Sequence, residues 1–228
     1  MIVALTITKY RTAAIPFAFM GMAILRVPLW LNKKCSFWKL MGSGKNAQVD
    51  LPPDFKHWGI ITAWANVEDC DEFYKNSFAI KWFKFFAIED FTILLNPLSA
   101  HGLWEGKQPF TLDKNSNKKD GRVAVITRAG IRLNKVKEFR ENIKRAADAM
   151  RVAPGYILSA GIGELPFVMQ ATFSIWESAE LMKSYAYKSH DHADVIKLTR
   201  ERKWYSEELF ARFEIIRSEG SLNGIELD

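Results

Sequence analysis

A chain of 228 residues with 48% hydrophobic and 25% charged residues has ordinary globular composition, which excludes a largely disordered chain and leaves enough length for a substantial core. Two cysteines, Cys35 and Cys70, exclude a disulfide scaffold and a zinc module, and they fit a reducing compartment. The net charge of +6 is spread along the chain without a basic stripe or docking motif, so nucleic acid is not an expected partner.

In chain order, residues 2–8 alternate as a strand does. Residues 13–31 are largely apolar, but Pro16, Arg26 and Pro28 interrupt them, and a spanning helix needs about 20 clean apolar residues. Residues 17–25 are therefore predicted as a helix buried against a sheet, with a surface that dips into a membrane as the alternative. A strand over 37–41 runs into Gly42-Ser43-Gly44, and another covers 59–64. The helix after it opens with Glu68 and Asp69, favourable at its positive end. A strand over 91–95 closes this half. The polar residues 113–120 are predicted as the loop between two domains, 1–112 and 121–228.

The second half repeats the order. A strand at 123–127 precedes an amphipathic helix at 135–150, with Val136, Phe139, Ile143 and Ala147 on one stripe. A strand at 156–160 runs into Gly161-Ile162-Gly163, a strand follows at 168–176, then a helix from near Ser178 and a strand at 209–216. Three marks recur in the same order in both halves: the G-x-G, then Trp64 and Trp176, then Gly102-x-x-x-Gly106 and Gly220-x-x-x-Gly224. The β-α-β-β-α-β order is the split unit of ferredoxin-like folds. The predicted fold class is α+β: two tandem ferredoxin-like halves whose sheets pack as a dimeric α/β barrel within one chain. That architecture does not itself specify a function.

Several motif families are absent. No G-x-S-x-G elbow, H-E-x-x-H or paired-acid motif occurs, and Gly42-Ser43-Gly44-Lys45 lacks the spacing of a phosphate-binding loop. The G-x-G pairs read as bulges or tight strand exits.

The stretches FWKLMGSG (37–44), WGIITAW (58–64), GLWEGKQPF (102–110), AVITRA (124–129), GIGELPFVMQATFSIW (161–176) and WYSEELFARF (204–213) resemble the spheroidene monooxygenase family. The resemblance implies haem b as cofactor, oxygen or peroxide as oxidant, and an acyclic carotenoid that is hydroxylated and then converted to a ketone. Related haem chemistries on this fold include aldoxime dehydration, and a non-enzymatic haem or hydrophobic-ligand binding protein is an alternative of another class. A cytoplasmic location is expected, with peripheral membrane contact and homo-oligomerisation as further expectations.

Haem iron needs an axial donor, most often an imidazole. His57 reads as a surface residue and His101 as a turn residue beside Gly102. His192 is the expected proximal ligand and His190 the second choice. They follow a strand-and-helix segment similar to the one that carries the ligand in haem-binding relatives. On a continuous helix, His192 would also share a stripe with Leu181, Tyr185 and Ile196. Arg128 and Arg212 are candidates for propionate binding or distal donation, and Gln170 for a polar contact to bound oxygen. Phe167, Phe173, Trp176, Tyr185 and Phe213 are expected to build core rather than a substrate box.

Overall fold

Alternation along the strands builds both faces of the fold. In β1 (Ile2–Tyr10), Val3, Leu5 and Ile7 enter one buried cluster, and Ala4 and Tyr10 enter another on the opposite face. β1 pairs antiparallel with β3 (Pro53–Trp64) and with β4 (Ala87–Gly102), and β3 pairs with β2 (Cys35–Gly44). In the second half, β5 (Val123–Ile131) pairs with β7 (Met169–Trp176) and β8 (Tyr205–Leu222), and β7 pairs with β6 (Tyr156–Leu165). The strand order is β4-β1-β3-β2-β6-β7-β5-β8, and pairing of β4 with β8 closes an eight-stranded barrel. A short β9 (Ile225–Glu226) folds back on β8.

This computed structural model describes residues 1–227 except 45–52, 113–120, 166 and 189; side chains at 188–194 and 196 also lie outside the description. The expected loop at 113–120 thus falls outside the described residues.

The barrel interior is filled from both halves, including Leu5, Ile61, Phe91 and Ile93 from one and Ile126, Phe173, Ala211 and Phe213 from the other. Outside the first half lie α1 (Ile15–Ile24), α2 (Arg26–Leu31), α3 (Val67–Asn76) and α4 (Phe78–Phe85). Asn66 caps α3 by accepting from the Asp69 backbone N–H at 2.8 Å. Outside the second half lie α5 (Val136–Arg151), α6 (Ala179–Lys188) and α7 (His190–Arg202).

The halves correspond residue by residue. Ile2 pairs with Trp64 in one and Val123 with Trp176 in the other. Each indole N–H donates to a hydroxyl two residues earlier, Trp64 to Thr62 and Trp176 to Ser174. The G-x-x-x-G pairs correspond too. Gly102 and Gly220 have φ of +84° and +79°, and Glu105-Gly106 and Asn223-Gly224 form left-handed two-residue turns.

Two expectations change. The helix at the apolar N-terminal segment is not buried: in α1 only Ala18 and Gly21 are buried, and Phe17, Phe19 and Met20 are exposed. Apolar residues surround α1 on all sides, so composition could not show which side meets protein. The helix α4 was not predicted, because its FAIKWFKF sequence reads as an undifferentiated apolar run.

Candidate functional site

The two seams between the halves are unequal. β4 and β8 pair from Phe91↔Gly220 to Gly102↔Leu209, whereas among the described residues β2 and β6 meet only at Gly42↔Gly163 and Ser43↔Ile162. The short seam is built from Gly42-Ser43-Gly44 and Gly161-Ile162-Gly163, where missing side chains leave room on the outer surface. A Cβ at Gly42 would meet nothing within 4 Å. A cavity of about 230 Å³ occupies this place. The seam glycines form its floor, and Phe19, Phe55, Trp58, Phe167 and Gln170 contribute walls. Phe167 has φ +67°, and the Arg140 guanidinium lies 4.9 Å from its ring centroid.

Gln170 connects this cavity to a second feature. On the outer face of the second sheet, pairing sets Gly161, Thr172, Thr127 and Phe210 in one row, flanked by the Gly163–Gln170–Ala129 and Ser174–Val125–Arg212 rows. In the first half, the layer between sheet and helices is one continuous apolar cluster. Among the described residues of the second half it falls into two parts. Ala129, Ile131, Phe139, Val195 and Trp204 form one part, and Val123, Val125, Trp176 and Met182 form the other. Thr127 stands between them and is exposed in the middle of an otherwise buried strand. Its counterpart in the repeat, Thr6, is fully buried beside the Tyr74 hydroxyl. Among the described side chains, this leaves a slot over Thr127 between sheet and helices.

Unsatisfied polar atoms border the slot. Gln170 Oε1 and Arg212 Nε are buried with no hydrogen-bond partner among the described residues, a costly state that a bound polar group would relieve. Glu180 at the start of α6 is held below the usual carboxylate range by backbone hydrogen bonding and Ser178, with Arg212 adding to the effect. Gln170 and Arg212 thus share one face.

Arg128 does not join them. It lies inside the barrel, 1% exposed, donating to Glu164 at 3.0 Å and to Glu207 at 2.5 Å, with its guanidinium 4.9 Å from the Trp104 ring centroid. Trp104 donates to Glu164, and Lys39 pairs with Glu105. This network closes the interior and leaves Arg128 committed to structure. The strand's alternation turns residue 128 inward and residue 127 outward.

The histidines also depart from expectation. His57 is not on the surface: it is 2% exposed, its Nδ1 is 2.7 Å from Asp54 Oδ2, and its Nε2 has no partner among the described residues. Asp54 lines the cavity. His101 is exposed and lies within β4, opposite Phe210 on β8, rather than in a turn. α6 is described to Lys188 and α7 from His190, and the junction at residue 189 that the continuous-helix phase of His192 depends on lies outside the described residues. Both His190 and His192 fall in the first turn of α7, and their side chains lie outside the described residues.

Among the aromatic candidates, Phe173 and Phe213 are barrel core, Trp176 and Tyr185 stack at 5.1 Å, and Phe167 alone lines the cavity. Sequence reasoning missed Phe19, Phe55, Trp58 and Thr127. The position of Thr127 carried no distinguishing signal, because the buried Thr6 occupies the matching place.

Two ferredoxin-like halves closed into one barrel define a protein of the dimeric α/β barrel class. The same fold occurs in a crystal structure of an aldoxime dehydratase in complex with butyraldoxime, with TM-score 0.62, 8% identity, and coverage of 97% of this chain and 82% of that one. No family model matches the chain. Its sequence is 31% identical over 214 residues to a spheroidene monooxygenase of Rhodobacter capsulatus, covering 93% of this chain and 89% of that protein. It is 34% identical over 194 residues to a spheroidene monooxygenase of Cereibacter sphaeroides, covering 84% of this chain and 59% of that protein. The chain belongs to the spheroidene monooxygenase family and is an enzyme of the monooxygenase class.

Proposed function

We propose that the protein is a haem-dependent monooxygenase that oxidises the end of an acyclic carotenoid, with the prosthetic group in the slot over Thr127. The single observation that supports this placement is the gap in the second half's apolar layer, where the first half has continuous packing. A flat group with an apolar body and charged edge suits such a gap. Arg212 would meet its anionic edge, and Gln170 would present a polar atom toward the cavity side. His192 would supply the axial donor from the first turn of α7, with His190 next. Bound haem supplies oxygen activation; the protein supplies orientation, exclusion of water and substrate placement.

The cavity at the short seam supports a lipophilic substrate. Its aromatic walls offer apolar contact, and about 230 Å³ is less than the range of roughly 300–1,000 Å³ that encloses a whole drug-sized ligand. It suits one end of a long chain, with the rest outside. Gln170 borders both spaces, which would bring the substrate end beside the prosthetic group.

The test is an absorption spectrum of protein purified from haem-supplied cells, followed by turnover with reductant, oxygen and an acyclic carotenoid in detergent. A Soret band and an oxygenated carotenoid are expected. His192→Ala should abolish or greatly weaken the band, and His190→Ala should leave it. Loss in His57→Ala with retention in His192→Ala would move the ligand to β3. Protein without haem that still oxygenates the carotenoid would overturn the haem reading.

A further inference from the structure

We infer that α1, α2 and α4 form a face that docks onto a bilayer containing anionic lipid. Thr12–Leu31 is long and apolar enough to cross a membrane by length and composition, yet only 22% of its apolar window is buried in the protein. The buried part is an inner edge of Ala18, Gly21, Leu25 and Leu29. Outward stand Val27, Trp30 and Leu31, with Trp30 76% exposed. On α4, Phe78 and Phe85 are also bare, at 66% and 79%.

These helices form one surface. A Cβ at Gly21 would be 3.3 Å from the Trp82 side chain, and Phe17 stacks on Phe86 at 4.4 Å. Phe78 contacts Trp82, and Phe85 contacts Phe86. Apolar residues on this scale at the surface of a folded chain indicate an interaction site.

Charge selects the occupant. From Arg11 to Lys34 there is no aspartate or glutamate, nor is there one in α4. Arg11, Arg26, Lys33 and Lys81 are exposed and make no ion pair among the described residues. An apolar face with free cations and no anions matches an anionic interface, where Trp, Phe and Leu enter the acyl boundary and basic residues meet headgroups. Each such cation adds about fivefold to partitioning onto anionic lipid. A second copy of this chain would bring the same unpaired cations against these. The segment lies along the surface rather than across the bilayer, because its inner edge is packed on protein and Arg26 puts a charge within it.

The face reaches the cavity. Phe19 of α1 is 49% exposed, lines the cavity, and packs on Phe55 and Trp58 with ring centroids 5.5 Å and 4.9 Å away. A lipid-dissolved molecule could thus enter between Phe19 and Phe55. This entry route rests on the proposed lipophilic substrate; the docking itself does not.

Docking is tested on the full chain without substrate, by co-sedimentation with phosphatidylcholine vesicles with and without about one-third phosphatidylglycerol. Binding at least tenfold stronger to the anionic vesicles is expected, falling in 0.5 M NaCl. Trp30→Asp with Leu31→Asp should reduce it more than tenfold, and Arg26→Glu with Lys81→Glu should remove the lipid preference. Unchanged melting temperatures would show that both variants fold. Equal binding by the variants, or none by the parent chain, would overturn docking. So would a dimer in sedimentation velocity that the Trp30 and Leu31 changes dissociate, since the face would then be a self-interface. None of these outcomes depends on turnover, so failure here leaves the oxygenase reading standing, and failed turnover leaves docking standing.

Discussion

Arg128 and Arg212 lie on neighbouring strands and face opposite sides of the same sheet. Arg128 holds two carboxylates inside the barrel, so Arg128→Met strands Glu164 and Glu207 in partly buried positions. Breaking such a pair costs about 3 kcal/mol or more, which urea denaturation would show as a lower midpoint. Arg212→Met removes a cation whose Nε has no partner among the described residues, so stability should change by no more than about 0.5 kcal/mol; under the proposed haem reading, the Soret band should weaken in the same variant. Burial opposes ionisation of Glu207, but the Gly106 and Glu105 backbone N–H groups and Arg128 outweigh it and hold the carboxyl below the usual range. A depressed folded-state pKa contributes stability above the unfolded value, near pH 4, and loses it as pH falls through the folded value. Glu207→Gln should therefore flatten the acid side of the stability profile below about pH 4. Both arginines were legible as candidates from residue type and strand placement. Their different roles depend on side-chain parity, which the predicted strand ends did not settle.

The G-x-x-x-G marks show what a strand end demands. A Cβ at Gly102 would lie 2.1 Å from the Glu208 carbonyl oxygen, and one at Gly220 would lie 2.0 Å from that of Asp90. Both have left-handed φ, so alanine there combines backbone strain with a backbone clash. Gly102→Ala should cost about 3 kcal/mol or more by thermal or chemical denaturation. Gly106→Ala meets no atom within 4 Å and should cost about 1 kcal/mol, from φ alone. Glu207 accepts from the Glu105 and Gly106 N–H groups, and Glu89 accepts from Gly224, so each turn is held by a carboxylate from a neighbouring strand. The spacing of these glycines was visible in the sequence. The partner carboxylates were not, because the contacts join residues about a hundred positions apart.

At the scale of the whole molecule, the repeat made the fold legible, and departures from the repeat mark the candidate site. Matching strands gave the barrel, but a sequence match between Thr6 and Thr127 cannot reveal that one is covered and the other open. The same asymmetry separates the two seams. Long β4–β8 pairing locks one side, while β2 and β6 share a two-residue contact reinforced by the Ser43 hydroxyl donating to the Gly161 carbonyl. Opening the short seam breaks few hydrogen bonds among the described residues, though it uncovers the core side chains of Met41 and Ile162 beside the glycine-lined cavity floor. Local opening free energy follows such contact density. Native-state hydrogen exchange should therefore find faster exchange at paired amides of Gly42–Ser43 and Ile162–Gly163 than at Ile93–Leu95 and Ile215–Arg217. Ser43→Ala should accelerate exchange at the short seam and leave the β4–β8 amides unchanged. Equal protection at both seams would mean that the cavity floor opens only when the whole barrel unfolds, and the short seam would then have no part in admitting a ligand.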